Sequence, residues 1–269
     1  MTKNVIFVWI PKTAGGSIWY EALAKQNGSV GNKETWNDTS LFNNEKIVSF
    51  GHMSILDLLS NGIISKDYFD NSFKFAFVRN PWDRVVSLYH YLKPTSIVKD
   101  KCFSSFCKYL KYNQIEPIGP YNVIGLSQCN KQISWLVDNN GKIFVDFIGR
   151  YENLQKDFEK VCSIIGIPSK ILPYEKFSNH AHYSLYYTKE TKDIIGELYK
   201  EDIERFGYEF QKLSKFFFFI HSIAYNYFES TGLQKIKGLI KHYFPILHKR
   251  FGNLMNKLVN KFIKHSRKY

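Results

Sequence analysis

Two strand-to-loop junctions constrain the fold of this chain more than any other feature. Residues 4–10 (NVIFVWI) form a nearly continuous run of apolar, β-branched and aromatic residues. Such a run reads as a strand buried on both faces of a parallel sheet. It stops at Pro11, and residues 11–17 (PKTAGGS) are a turn rich in small residues. Helical spacing follows over residues 18–25, with Ile18, Ala22 and Leu23 on one face. The second junction repeats the pattern. Residues 73–78 (FKFAFV) read as a strand that runs into Arg79-Asn80-Pro81. The fixed φ and missing N–H of proline suit the first turn of a helix. Val85, Val86, Leu88, Tyr89 and Leu92 carry that helix onward.

Between and beyond these junctions, residues 46–50 (KIVSF) and 143–148 (IFVDFI) read as two more strands. Helices are expected over 55–61, 103–112, 153–165 and 189–206, the last as one amphipathic element. Residues 34–44 and 115–129 read as irregular. Strands that alternate with helices predict an α/β fold: a P-loop-like three-layer sandwich with a central parallel sheet flanked by helices. Ligands of such sheets bind beyond the carboxyl ends of the strands. Lys12, His52 and Arg79 each follow a strand, so all three fall on one rim.

Charge divides the chain. The net charge is +13, but from Gln211 onward there are 12 Lys or Arg and one acid, Glu229. The rest carries 25 bases against 23 acids. A uniformly basic nucleic-acid binder has a different distribution. We therefore expect two parts, residues 1–210 as the main domain and 211–269 as a basic amphipathic helical extension. In the extension Leu233, Ile236, Ile240, Phe244 and Leu247 recur at helical spacing, with a kink expected at Pro245. The four cysteines (Cys102, Cys107, Cys129 and Cys162) show no CxxC spacing and read as buried free thiols. No signal peptide and no membrane-length apolar run is visible, so a cytoplasmic location is expected.

The loop 11–17 has the chemistry of a phosphate cradle. Its small residues let backbone N–H groups approach an anion, and Lys12 adds a full charge. Thr13 and Ser17 add hydroxyls. It is not a Walker A loop, because its lysine precedes the glycines instead of following them. Arg79 can grip a phosphate with two donors, and Ser87 lies about two helical turns further on. Each segment alone also fits an ordinary turn or a surface arginine.

Taken together, PKTAGGS and RNPWDRVVSLYHYL resemble the sulfotransferases that use 3′-phosphoadenosine 5′-phosphosulfate (PAPS). The likeness is to the carbohydrate branch, including heparan and uronyl 2-O-type and bacterial enzymes. The segments 132–136 (QISWL), 146–154 (DFIGRYENL) and 199–208 (YKEDIERFGY) are similar to that branch as well. The resemblance implies sulfuryl transfer from PAPS to a carbohydrate hydroxyl by in-line displacement, with no metal. It also implies that Lys12, Thr13, Ala14, Gly15, Gly16 and Ser17 hold the 5′-phosphosulfate, with Lys12 also catalytic. Arg79 and Ser87 would hold the 3′-phosphate.

The reaction needs a base for the acceptor hydroxyl. His52, in SFGHM, is the first choice, and the resemblance implies a histidine base at this position. The competing reading is a histidine packed on the sheet. His180 and His182 are candidates for binding the acceptor, and Glu21 is a weaker candidate base. Asp146 and Glu152 read as structural, with Arg150 as an ion-pair partner. Trp9, Trp82 and Trp135 read as core.

The implied acceptor is a glycan or glycolipid. The extension fits either an anionic membrane surface, which places the chain at the inner face of a membrane, or docking and homo-oligomer contact. Nucleic acid is disfavoured as a partner. Two other functions stay open: a nucleotide-dependent phosphotransferase on a P-loop-like fold, and a non-enzymatic membrane-surface protein.

Overall fold

The computed structural model describes residues 4–23, 47–95, 97–99, 101–113, 126–172 and 181–212. His180, most of the irregular stretch 115–129 and the extension beyond Lys212 lie outside the described residues, as does the side chain of Glu21.

Four parallel strands form the sheet: β1 (Asn4–Val8), β2 (Ile47–Val48), β3 (Ser72–Val78) and β4 (Phe147–Arg150). Their spatial order is β2-β1-β3-β4. Val5 aligns with Ile47, Phe7 with Phe75, and Ala76 with Ile148. Every residue of β3 is buried. This is why its sequence lacks the apolar–polar alternation of a one-sided strand.

The pleat sends alternate residues to two cores. Val5, Phe7, Phe73, Phe75 and Phe77 pack on α1 (Ser17–Leu23), which is wound as a π-helix, and α6 (Leu154–Ile165). Phe7 stacks on Phe75 with ring centroids 5.0 Å apart. Ile6, Val8, Ala76 and Val78 face α2 (Ile55–Ser60), α3 (Lys66–Asn71) and Trp135. Burying each of these large side chains contributes about 1.5–3 kcal/mol. The result is a sheet between two helical layers. A third cluster joins α4 (Pro81–Leu92), α5 (Phe103–Tyr112) and α7 (Lys189–Leu198). Gly149 of β4 is needed for the first of these cores, because a Cβ there would lie 2.4 Å from the Phe77 ring.

Four expectations are corrected. The strand expected over 143–148 begins at Phe147, because the Asp138 carboxylate accepts from the Asn140 and Lys142 N–H groups in a tight turn. That turn folds Ile143 back into an antiparallel bridge with Val137. The helix expected over 189–206 is broken at Tyr199 into α7 and α8 (Lys200–Phe206). Tyr199 is buried there and donates its hydroxyl to the Cys129 carbonyl at 2.6 Å. The short helix α3 was not expected, although Ser65 caps it by accepting from the Tyr68 N–H. Finally, all four cysteines are free thiols, but Cys102 is exposed instead of buried.

Among the described residues, no helix is long and apolar enough to cross a membrane.

Candidate active site

The strand order changes direction between β1 and β3, since the chain leaves β1 for β2 on one side and returns past it to β3 on the other. A crevice opens at such a point, beyond the carboxyl ends of the strands. The loop after β1 and Arg79 after β3 meet there. Arg79 Nη1 donates to the Lys12 carbonyl at 3.2 Å.

The loop is held in an unusual shape. Lys12 and Ala14 both have positive φ, +70° and +72°. For residues with a Cβ this costs about 1–3 kcal/mol each, a strain that concentrates at functional sites. Thr13 is fully buried and donates its hydroxyl to the Ile10 carbonyl at 2.8 Å. Its proton therefore tightens the loop, and what Thr13 can offer an anion is its backbone N–H. Gly15 cannot be replaced without movement, because a Cβ would lie 1.8 Å from Trp9 Nε1. At Gly16 the nearest atom to a Cβ would be Tyr20 Cδ2 at 4.0 Å, so this side of the loop is open. Ser17 starts α1 and is largely buried.

Arg79 is aimed by three contacts. Its Nε donates to Asp83 Oδ2 at 2.9 Å, and the guanidinium lies 4.0 Å over the Tyr151 ring. The Gln132 amide clamps its backbone, accepting from the Arg79 N–H and donating to its carbonyl, each at 2.8 Å. Burial works against the Arg79 charge, but Asp83 beside it prevails and the pKa is raised.

Helix α4 lays one face along the loop. Asn80 caps it by accepting from the Trp82 N–H, with Pro81 at the first position. Arg84 donates from Nε to the Pro11 carbonyl at 3.1 Å. The Lys12 ammonium sits 4.3 Å over the Tyr91 ring. Ser87 falls three residues after Arg84 and four before Tyr91, so it shares their face. It is buried at 3% exposure. Arg79 thus meets the Lys12 loop, and Ser87 lies on the α4 face that carries Arg84 and Tyr91 to the same loop.

His52 sits in the turn after β2. Its Nδ1 is 2.7 Å from the Trp9 carbonyl. A carbonyl can only accept, so Nδ1 carries the proton and Nε2 keeps a lone pair. The imidazole packs edge-on against Trp9, and its own carbonyl accepts from Trp135 Nε1 at 2.8 Å. Burial pushes its pKa down to about 4, helped by Lys12 and Arg84 and opposed by the Trp9 hydrogen bond. At neutral pH it is an uncharged base on the same rim as Lys12.

His182 plays a local part: its Nδ1 accepts from the Ser184 N–H, capping the turn Tyr183–Leu185, and its ring stacks on Tyr183. Asp146 accepts from the Lys74 N–H at 2.7 Å and stands 3.4 Å from its ammonium. Glu152 accepts from the Asn80 N–H at 2.7 Å and from the Tyr208 hydroxyl at 3.1 Å. Both carboxylates brace the fold. The expected ion pair of Arg150 with them is replaced: its guanidinium donates to the Phe206 carbonyl and lies over the Tyr208 ring. Trp9, Trp82 and Trp135 are buried in the cores. Two further ties join distant segments here: Asn80 Nδ2 donates to the Glu209 carbonyl at 3.0 Å, and the Gln211 N–H donates to the Tyr183 hydroxyl at 2.7 Å.

Arg84, Gln132, Tyr151 and Tyr91 were missed as site residues. Arg84 and Tyr91 could have been found from their spacing with Ser87 on α4. The Gln132 clamp spans 53 residues and leaves no local signal.

Among the described residues no group of three or more His, Cys, Asp or Glu side chains is placed to hold a metal ion.

An uncharacterized protein of Archaeoglobus fulgidus is 38% identical over 109 residues, which are 40% of this chain and 79% of that protein. The crystal structure of mouse sulfotransferase SULT7A1 complexed with PAP superposes with a TM-score of 0.48 at 15% identity. That match covers 76% of this chain and 85% of the mouse chain. The sequence model of the sulfotransferase family matches residues 1–209, and the chain belongs to that family.

Proposed function

We propose that this sulfotransferase moves a sulfuryl group from PAPS to a hydroxyl of a carbohydrate acceptor, a glycan or glycolipid, by in-line displacement. The observation that carries the reading is the meeting of three groups at one rim: the strained lysine-bearing loop, the clamped Arg79 and the neutral His52.

The residues present fit a donor with phosphate at both ends of its ribose. The open side of the loop at Gly16, with the Lys12 charge beside it, suits a 5′-phosphosulfate. Arg79 and Ser87 suit a 3′-phosphate, the group that distinguishes this donor from ATP. PAPS, when bound, supplies the activated sulfuryl group and a leaving phosphate.

The protein's own groups do the rest. His52 Nε2 takes the proton of the acceptor hydroxyl, while the Trp9 carbonyl holds the ring by Nδ1. Lys12 leaves the Tyr91 ring and meets the negative charge that grows on the departing oxygen. An anionic donor beside His52 offsets the repulsion from Lys12 and Arg84, which strengthens the base when it is needed. A glycolipid acceptor would give the basic extension 211–269 a role at an anionic membrane surface.

The test is a thermal shift with adenosine 3′,5′-bisphosphate, run beside ADP and ATP. A ligand that binds the native state alone raises its stability by mass action. Selective stabilisation by the bisphosphate, followed by sulfation in a screen of glycan acceptors, is the expected result. Stabilisation by ATP instead would overturn the reading in favour of phosphoryl transfer.

A further inference from the structure

Arg84 is an unusual residue to find behind a phosphate loop. Only 1% of it is exposed. Its Nε donates to the Pro11 carbonyl at 3.1 Å, Nη1 to the Asn130 carbonyl at 2.9 Å and Nη2 to the Gln128 carbonyl at 2.7 Å. Arg79 is paired with Asp83, whereas no carboxylate among the described residues forms an ion pair with Arg84. A buried charge with no carboxylate in direct contact is expensive, and an apolar side chain of similar volume would fill the same space more favourably. The cation therefore needs a reason beyond packing.

Its three carbonyl partners supply one. The Pro11 carbonyl belongs to the peptide that enters Lys12, at the root of the strained loop. Gln128 and Asn130 precede the segment Gln132–Trp135, which clamps Arg79 through Gln132 and holds the His52 carbonyl through Trp135. The guanidinium also lies 5.7 Å from the Trp135 ring. One side chain thus ties the loop to the wall behind His52.

Its charge acts on the same surroundings. His52 is faced by two cations, Lys12 from the loop and Arg84 from α4. The other titratable groups that feel Arg84 are Cys129, Tyr199 and Asp202.

We propose that Arg84 is a positioning residue for both halves of the site. Its hydrogen bonds fix the root of the loop and, through Gln128 and Asn130, the segment whose Trp135 holds the His52 carbonyl. This rests on the roles given above to Lys12 and His52. It adds a residue that touches neither donor nor acceptor.

Two variants separate the two effects. Arg84→Lys keeps the charge but loses the planar fork that reaches three carbonyls. Arg84→Gln loses both. The His52 ring resonance is followed by NMR through the acid range in the histidine-labelled full chain without nucleotide. Binding of adenosine 3′,5′-bisphosphate is measured by calorimetry.

In Arg84→Gln the His52 midpoint should move up toward the ordinary value of 6.5, and affinity should fall at least about tenfold, the loss expected for buried charge-assisted hydrogen bonds. In Arg84→Lys the midpoint should stay while affinity falls. Wild-type affinity in Arg84→Lys, or an unmoved His52 midpoint in Arg84→Gln, would overturn the proposal. If Arg84→Gln does not fold, the lysine variant still decides the loop contribution. A wild type that binds no bisphosphate would defeat the sulfuryl-transfer reading, yet the His52 titration would still report on Arg84.

Discussion

Arg79 and Lys12 are joined through the backbone of one and the side chain of the other: Nη1 of Arg79 donates to the Lys12 carbonyl at 3.2 Å. The two loops that carry the candidate site are therefore not independent. Moving either one disturbs the other.

Arg79→Lys should expose this. A lysine ammonium cannot bond Asp83, reach the Lys12 carbonyl and stack on Tyr151 all at once. Affinity for adenosine 3′,5′-bisphosphate should fall about tenfold or more, roughly the value of one charge-assisted contact. Affinity for AMP, which lacks the 3′-phosphate, should change less. Calorimetry with both nucleotides checks this, and equal losses would remove the 3′-phosphate role.

Lys12→Ala should act on the chemical step. Removing a charge aimed at the developing oxyanion should lower kcat by about 10²–10³. Melting temperature should change little, because the half-buried Lys12 side chain belongs to none of the three cores. Single-turnover sulfation measures it, and a normal rate would exclude Lys12 from the chemistry.

His52 sets a pH dependence with a defined sign. Its folded pKa of about 4 lies below the ordinary 6.5 because the imidazole is buried beside Lys12 and Arg84. Between those values the unfolded chain binds a proton that the folded one does not. Stability should therefore fall as pH drops from about 6.5 to about 4 and level off below. Denaturant titrations of the wild type and His52→Asn should differ in the slope of stability against pH in this window alone. The acid limb of kcat/KM, which reports the free enzyme, should likewise lie well below the usual histidine range.

Gly15→Ala should be costly out of proportion to one methyl group. The new Cβ would lie 1.8 Å from Trp9 Nε1. Trp9 cannot retreat easily, being packed against Phe7, Tyr20 and His52. Overpacking of this kind costs about 1–3 kcal/mol, and bisphosphate binding should weaken with it. A smaller residue at position 9, as in Gly15→Ala/Trp9→Leu, should recover part of the melting temperature. No recovery would mean the loop backbone itself is at fault.

Gln132→Leu should unfasten Arg79 without touching its side chain. It strands a buried N–H and a buried carbonyl, each worth about 1–3 kcal/mol when left unpaired. Chemical denaturation should show the loss. Gln132→Glu should also lose stability, because an oxygen would then face the Arg79 carbonyl and the Asp202 carboxylate where Gln132 places an N–H donor.

The parts of this molecule that were legible in its sequence are those written in short stretches. β1, the 11–17 loop, β3 and the Pro81 start of α4 follow from unbroken apolar runs that end in turn residues. His52 was legible as a residue but not as a neutral base, because that state depends on Trp9, Lys12 and Arg84 meeting around it. The break at Tyr199 carries no glycine or proline, so helical spacing runs straight through it. The Gln132 clamp and the Arg84 ties to Gln128 and Asn130 link residues more than forty positions apart. Nothing in a local pattern records such partners. His182 caps a turn through its ring, a structural part that the polar stretch around it does not announce.

Asn80 reaches the Glu209 carbonyl, and the Gln211 N–H reaches Tyr183. These two ties decide where the chain can be cut. A protein shortened ahead of residue 209 loses the brace on the residue that caps α4. A cut after Gln211 spares both. Cuts at either side of this short stretch should then differ in how firmly α4 begins, although they lie more than a hundred residues from Asn80 in sequence.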